Sequence, residues 1–172
     1  MSNPATLLVT ERLSIRTWQK KDLQQVIDFC SDPDVMKYVG DGHCWSDAEC
    51  LDFLVQEIGH QRQHGFCRWA VIDQQEGPVI GFCGFVSRGD GVEMGWRLAA
   101  HAWGRGLASE AALAALRYAS ETLHLAPILA TVQPGNRASL QLAKKIGFQE
   151  TSRFARKGWQ LVVLEAAGRP QS

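Results

Sequence analysis

His101-Ala102-Trp103-Gly104-Arg105-Gly106-Leu107-Ala108-Ser109-Glu110 lies between an alternating apolar strand, Val92 to Leu98, and a long Ala/Leu-rich helix that runs to about Leu123. A glycine-rich turn opening a helix is a place to hold a phosphate. Gly104 and Gly106 can take backbone angles closed to other residues, and they let a second molecule approach the main chain closely. The N–H groups of the first helical turn have no partner within the helix and stand at the positive end of its dipole. Arg105 can add a charge-assisted hydrogen bond. The stretch reads as a pyrophosphate cradle. An ordinary glycine loop between strand and helix remains the plainer alternative on local chemistry alone.

Upstream of this turn, Phe66 to Asp73, Val79 to Ser87 and Val92 to Leu98 read as strands. The short turns Gln74 to Pro78 and Arg88 to Gly91 make them an antiparallel meander. Nearer the start, Leu7 to Trp18 reads as one strand and Asp22 to Cys30 as an amphipathic helix. Ser31-Asp32-Pro33 stops that helix, and Val35 to Val39 adds one more turn. Ser46-Asp47-Ala48-Glu49 is a capping box. It starts a helix that runs to about His64, with Leu51, Leu54, Val55 and Ile58 as the expected buried stripe and Gly65 as its end.

Downstream, the helix after the glycine turn presents Ala112, Leu116, Ala119 and Leu123 on one stripe, small enough for close packing on a sheet. Ile128 to Val132 is a continuous apolar strand, expected to be central. Asn136 caps a further helix that ends at Ile146-Gly147. Phe148 to Phe154 and Trp159 to Glu165 form a last hairpin, and residues 167–172 are expected to fray. The order β-α-α-β-β-β-α-β-α-β-β describes one α/β domain over residues 1–172, with a mixed, mostly antiparallel sheet and helices on both faces.

Composition narrows the function. The 172 residues are 45% hydrophobic and 21% charged, with zero formal net charge, so no broad pull towards nucleic acid or an anionic membrane is expected. No signal peptide and no membrane-length apolar run is present. Five cysteines without a Cys-x-x-Cys pair suggest reduced thiols in a cytoplasm. His60 and His64 stand at i, i+4 on a helix but lack an adjacent glutamate and a third ligand, so no metal site is expected.

Two other phosphate folds are set aside. No Gly-x-x-x-x-Gly-Lys-Ser/Thr run exists. Gly104-x-Gly106 lacks the third glycine of a dinucleotide fingerprint, and its strand belongs to a meander and not to a parallel unit. The chain instead resembles the GNAT superfamily of acyl-CoA-dependent N-acetyltransferases, in the branch of the ribosomal-protein N-terminal (Rim-type) enzymes. The stretches that carry the resemblance are Thr10-Glu11-Arg12-Leu13-Ser14-Ile15-Arg16, Glu93-Met94-Gly95-Trp96-Arg97-Leu98, Trp103 to Ala111, Asn136-Arg137-Ala138-Ser139 and Ile146-Gly147-Phe148. The superfamily pattern Gln/Arg-x-x-Gly-x-Gly/Ala keeps its Gly104-x-Gly106 core, with His101 at the tolerant first position. The resemblance implies acetyl-CoA as co-substrate. Its pyrophosphate would lie on the backbone of Gly104, Arg105, Gly106, Leu107, Ala108 and Ser109. Its pantetheine arm would pair with Trp96, Arg97 and Leu98 as a further strand, and Asn136 would bond the cofactor, cap its helix, or do both. Gly95 would mark a bulge or a close backbone approach.

The resemblance also implies direct acetyl transfer to a primary amine, on a protein N-terminus or a small molecule. Many superfamily members carry a tyrosine acid seven residues past the asparagine; here that position is Ala143. The ribosomal-protein branch has a serine three residues past it, which makes Ser139 the candidate acid at the sulfur. Its other reading is a helix serine bonding its own backbone. Glu93, on the opposite strand face from Val92 and Met94, is the candidate base; its other reading is an ion-paired strand residue. Arg153, Arg156 and Lys157 stand where some relatives carry a carboxylate, which leaves the base open and hints at an acidic acceptor beside the plainer reading of a solvated hairpin. His43, near Asp41 and Trp45, is a candidate to line the acceptor site. The competing class is a non-catalytic acyl-CoA-binding or regulatory domain on the same fold. Homodimerisation is left open, since no feature of the sequence decides it.

Overall fold

The structure is a computed structural model and describes residues 5–167; the expected fraying of residues 168–172 lies outside them. Strands β1 (Thr6–Val9) and β2 (Leu13–Arg16) come first, then helices α1 (Leu23–Cys30), α2 (Pro33–Met36) and α3 (Asp47–His64). The meander follows as β3 (Arg68–Asp73), β4 (Val79–Arg88) and β5 (Gly91–Leu98). Helix α4 (Leu107–Glu121), strand β6 (Ile128–Val132), helix α5 (Arg137–Lys145) and the hairpin β7 (Phe148–Arg156) and β8 (Trp159–Ala166) complete the chain. All eight strands form one sheet in the order β1-β2-β3-β4-β5-β6-β8-β7. Among the described residues only β5 and β6 run parallel.

Two local expectations are corrected and one is extended. The first strand is two, because a turn at residues 10–12 folds it back: Thr10 N–H donates to the Leu13 carbonyl at 2.8 Å, and Leu13 N–H to Thr10 Oγ1 at 3.0 Å. Asp32 does more than stop α1. Its side chain accepts from Asp34 N–H and caps α2, with Pro33 in the first turn, where its missing N–H costs nothing. The buried stripe of α3 is turned relative to the expected one. Leu54 is buried and Ile58 is partly buried, but Leu51 and Val55 are 46% and 56% exposed, while Cys50, Phe53 and Glu57 face inward. The reason is tertiary. Phe53 meets Trp18, Trp45 and Phe82, and Glu57 pairs with Arg68, so these contacts choose the face.

The expected ends of α3 hold. Ser46 and Glu49 form the reciprocal capping box, and Gly65 takes the left-handed conformation at φ 79°. On α4 the buried face is Leu107, Ala111, Ala112, Ala115 and Ala119, with Leu116 and Leu123 packed at its margin. The alanines let α4 lie close to the sheet.

Strand alternation assigns the two faces. Phe82 packs against Phe29 of α1 and Phe53 of α3. Phe85, on the other face of β4, packs on Trp69, which touches Tyr118 of α4. Register carries this to β5. Met94 and Trp96 pair with Phe85 and Cys83 and face α4 and α5, whereas Glu93 and Arg97 pair with Val86 and Phe82 and face α1 and α3. Pairing runs through Gly84 and Gly95 without a shift, so no bulge forms at Gly95.

Candidate active site

Strands β5 and β6 pair only at Val92 with Ile128 and Glu93 with Leu129, after which they part. The rest of β5 keeps β4 on one side and has no strand on the other. Val92 N–H donates to the Pro127 carbonyl, on the β6 side. By the alternation of an extended strand, the groups of Met94 and Trp96 point to the same side; the Glu93–Leu129 pairing takes the Met94 N–H, which leaves the Met94 carbonyl and both backbone groups of Trp96 facing the gap. Those of Arg97 point towards β4, and the Leu98 carbonyl accepts from Trp103 Nε1 at 2.9 Å. Of the three residues expected to pair with pantetheine, only Trp96 offers both backbone groups to the gap. The Arg97 side chain lies on the opposite face, over the rings of Trp45 and Phe82. A cavity of about 1250 Å³ fills the gap and continues along the α4 N-terminus.

At that end Gly104 and Gly106 have φ of 74° and 76°, the left-handed region that favours glycine. Glu110 N–H makes the first helical bond, to the Gly106 carbonyl, and no side chain caps the helix. The N–H groups of Leu107, Ala108 and Ser109 therefore have no helical partner, and all three residues line the cavity. This is the donor set an anion at a helix N-terminus requires. The Arg105 guanidinium is not part of it. It is held by Asp73 at 2.8 Å and Glu76 at 3.3 Å on the β3–β4 turn. Its carbonyl accepts from Arg12 at 2.7 Å. Arg12 in turn pairs with Glu110, which also accepts from Thr10 Oγ1. Burial works against the Glu110 charge, but the bonds from Thr10 and Arg12 hold its carboxyl below the ordinary range. For Asp73 the Gln75 N–H is the main cause of a lowered value, with Arg105 adding to it against burial.

These ion pairs fix the loop from behind. Sequence reasoning missed Arg12, Asp73 and the role of Glu110. In the sequence Thr10 to Arg12 belong only to a resemblance, and no spacing rule joins Thr10 and Arg12 to a glutamate 100 and 98 positions away.

Where the gap meets α5, Asn136 Oδ1 accepts from Ser139 N–H at 3.2 Å, the expected cap. The Ser139 hydroxyl does not turn back on its own helix. Trp96 Nε1 donates to Ser139 Oγ at 3.2 Å. An indole N–H only donates, so Oγ is the acceptor and its own proton is left to donate elsewhere. Ala143, at the position of the superfamily tyrosine, is fully buried. Glu93 lines the same cavity on the other sheet face, and its Oε2 accepts from Arg88 Nε at 2.9 Å.

His43 also lines the cavity. Its ring nitrogens contact Asp41 and Glu49, and these two carboxylates, Asp41 foremost, raise its pKa. Arg156, Lys157 and Trp159 of the last hairpin line the same end. Elsewhere, His60 Nδ1 lies 2.7 Å from the Phe66 carbonyl, and Ser87 N–H donates to its Nε2, so both nitrogens are committed within the fold. Among the described residues no group of three or more His, Cys, Asp or Glu could hold a metal ion. No helix there is long and apolar enough to cross a membrane. None of the five cysteines lines the cavity.

A splayed pair of parallel strands, an uncapped helix N-terminus at a Gly-x-Gly turn and a serine beside the open edge thus line one cavity. Residues 12–149 match the acetyltransferase (GNAT) domain family. The chain belongs to that family and is an acetyl-CoA-dependent N-acetyltransferase. It is 34% identical to an uncharacterised N-acetyltransferase of Bacillus subtilis (strain 168), YnaD, over 149 residues, covering 86% of this chain and 85% of that one. It is 28% identical to the [ribosomal protein uS5]-alanine N-acetyltransferase of Escherichia coli (strain K12), over 86% of this chain and 80% of that one. Among solved structures, a GNAT-family acetyltransferase from Bacillus anthracis superposes with a TM-score of 0.81 at 29% identity, covering 92% of this chain and 96% of that one.

Proposed function

We propose that residues 1–172 form a single acetyltransferase domain that moves the acetyl group directly to a primary amine, either a protein N-terminus or a small molecule. Acetyl-CoA, when bound, supplies the activated acetyl group as a thioester. The N–H groups of Leu107, Ala108 and Ser109, with the glycine turn at Gly104–Gly106, receive its pyrophosphate. The Met94 carbonyl and the backbone N–H and C=O of Trp96 take the pantetheine amides as a further strand would. Asn136 orients Ser139 through its backbone. Ser139 Oγ–H donates to the sulfur as charge develops there, and the Trp96 indole holds that hydroxyl in place. Glu93 accepts the proton that the amine loses, and the thiol gains one in the balance. The absence of a cysteine from the cavity lining supports direct transfer over a thiol-borne acyl-enzyme. Five free cysteines favour a reducing compartment, and we place the reaction in the cytoplasm.

The observation that carries this reading is the Trp96–Ser139 hydrogen bond at the open edge of β5. The test is Ser139→Ala, with acetyl-CoA binding and turnover measured side by side. Loss of a general acid commonly costs ~10²–10⁴-fold, so turnover should fall by about that factor with binding intact. Unchanged turnover removes Ser139 from the chemistry. A wild-type protein that binds acetyl-CoA but acetylates no amine supports a non-catalytic binding domain instead.

A further inference from the structure

Three arginines reach the cavity from the α1/α3 face of the sheet: Arg68, Arg88 and Arg97. Two carry a carboxylate. Arg68 is bound by the buried Glu57 and Arg88 by Glu93. Arg97 is different. Among the described residues no carboxylate stands within ion-pair distance of it, and its polar contact is from Nη1 to the Cys30 sulfur at 3.4 Å. Burial pushes the Cys30 thiol up, against the pull of Arg97, so Cys30 is a neutral partner. The guanidinium is stacked on Trp45 and Phe82, 4.7 and 5.0 Å from their ring centres. Arg68 flanks the same Phe82 ring at 5.4 Å, adding a second cation close by. A half-buried arginine held in a fixed pose without a counter-ion is costly unless an anion completes it.

That anion is not the coenzyme's pyrophosphate, whose cradle lies at the α4 N-terminus on the other sheet face. Arg97 shares its face with Glu93, two positions beyond Gly95 on the same row. The absent Cβ of Gly95 leaves room for the Arg68 stem, which would stand 3.2 Å from it. The acceptor side of the cavity thus has a proton acceptor at one end of the row and an unpaired planar cation at the other.

We propose that Arg97 receives a carboxylate of the acceptor, so that the substrate is a primary amine that also carries a carboxyl group. This rests on the acetyltransferase reading above. The guanidinium fork suits a carboxylate bidentately, and Trp45 and Phe82 hold it in plane. The carboxylate belongs either to a free amino acid or to the acidic first residue of a peptide.

The experiment is calorimetric titration of the protein loaded with desulfo-CoA, in two arms. The first compares free amino acids with their uncharged amides. The second compares short peptide amides that begin with aspartate or with asparagine. In at least one arm the carboxylated member should bind about tenfold tighter or more, the scale of a hydrogen bond to a charged group. Arg97→Gln should bring the pair within about twofold, and Arg97→Lys should restore part of the difference. The arm that responds names the source of the carboxylate. No preference in the wild-type protein in either arm overturns the proposal, as does a preference that survives Arg97→Gln. If desulfo-CoA itself does not bind, the acetyltransferase reading has failed; if it binds without a carboxylate preference, only the role of Arg97 has. The absence of a wild-type preference overturns the proposal even where a variant does not fold, and Arg97→Lys, which keeps the charge, tests the assignment where Arg97→Gln does not fold.

Discussion

Trp96 and Ser139, 43 positions apart, meet across the gap between β5 and β6, where the indole N–H donates to the serine hydroxyl at 3.2 Å. The bond fixes which way the serine proton can point. Trp96→Phe keeps the packing and removes the donor. We expect turnover to drop by about tenfold, less than in Ser139→Ala, with little change in acetyl-CoA affinity. The two substitutions act on one unit, so the double variant should be no slower than Ser139→Ala alone. Additive losses would show that Trp96 acts in some other way. Steady-state rates of the four proteins decide it.

The cradle depends on ion pairs behind it. Asp73→Asn releases Arg105 from its buried anchor, and the KM for acetyl-CoA is expected to rise by about tenfold while kcat falls less. The same residue gives an acid-side signature. Its folded pKa lies below the ordinary 3.8, so its contribution to stability is fully present above about 3.8 and is lost as pH falls through the lowered value. Denaturant unfolding from neutral to acid pH should show a shallower acid loss in Asp73→Asn than in the wild type.

Gly104 and Gly106 have open space or ordinary contacts where a Cβ would go. Their requirement is conformational, since φ of 74° and 76° strains any residue with a side chain. Alanine at either position should cost about 1–2 kcal/mol, read as a fall of a few degrees in Tm, together with weaker acetyl-CoA binding. A binding loss without a stability loss would point to contact and not to conformation.

His43 sits between Asp41 and Glu49, and its pKa is raised above 6.5. The charged tie is therefore complete below 6.5 and lost as pH rises through the raised value. Ring-proton NMR should place the His43 midpoint above the ordinary value, and Asp41→Asn should lower it. An unshifted midpoint in the wild type would contradict the contact.

Much of this arrangement was legible in the sequence because it is local. Asn136 three residues before Ser139 and Ser46 three before Glu49 each satisfy their own backbone within one turn, and Gly104-x-Gly106 before an Ala-rich helix sets its left-handed turn with glycine alone. The alternation of Glu93 against Val92 and Met94 is enough to put Glu93 on its own strand face, whereas the side of Arg97 opposite Trp96 follows from the register with β4. What the sequence hid is held by distant partners. Glu57 is inward because Arg68 needs it, which turns α3 away from its apolar pattern. Arg105 faces Asp73 and not the cavity, because a buried carboxylate 32 positions upstream claims it. The break between β1 and β2 falls at the Thr10–Leu13 turn, whose Thr10 and Arg12 side chains reach the distant Glu110.

The central claim is that the gap between β5 and β6, closed at one end by the α4 N-terminus, holds acetyl-CoA. Calorimetric titration of the purified protein with acetyl-CoA, beside desulfo-CoA and NADH, tests it most directly. The account predicts one site with micromolar affinity for both CoA compounds, no heat with NADH, and weaker binding of the CoA compounds in Gly106→Ala. No binding of acetyl-CoA by a folded wild-type protein would contradict it.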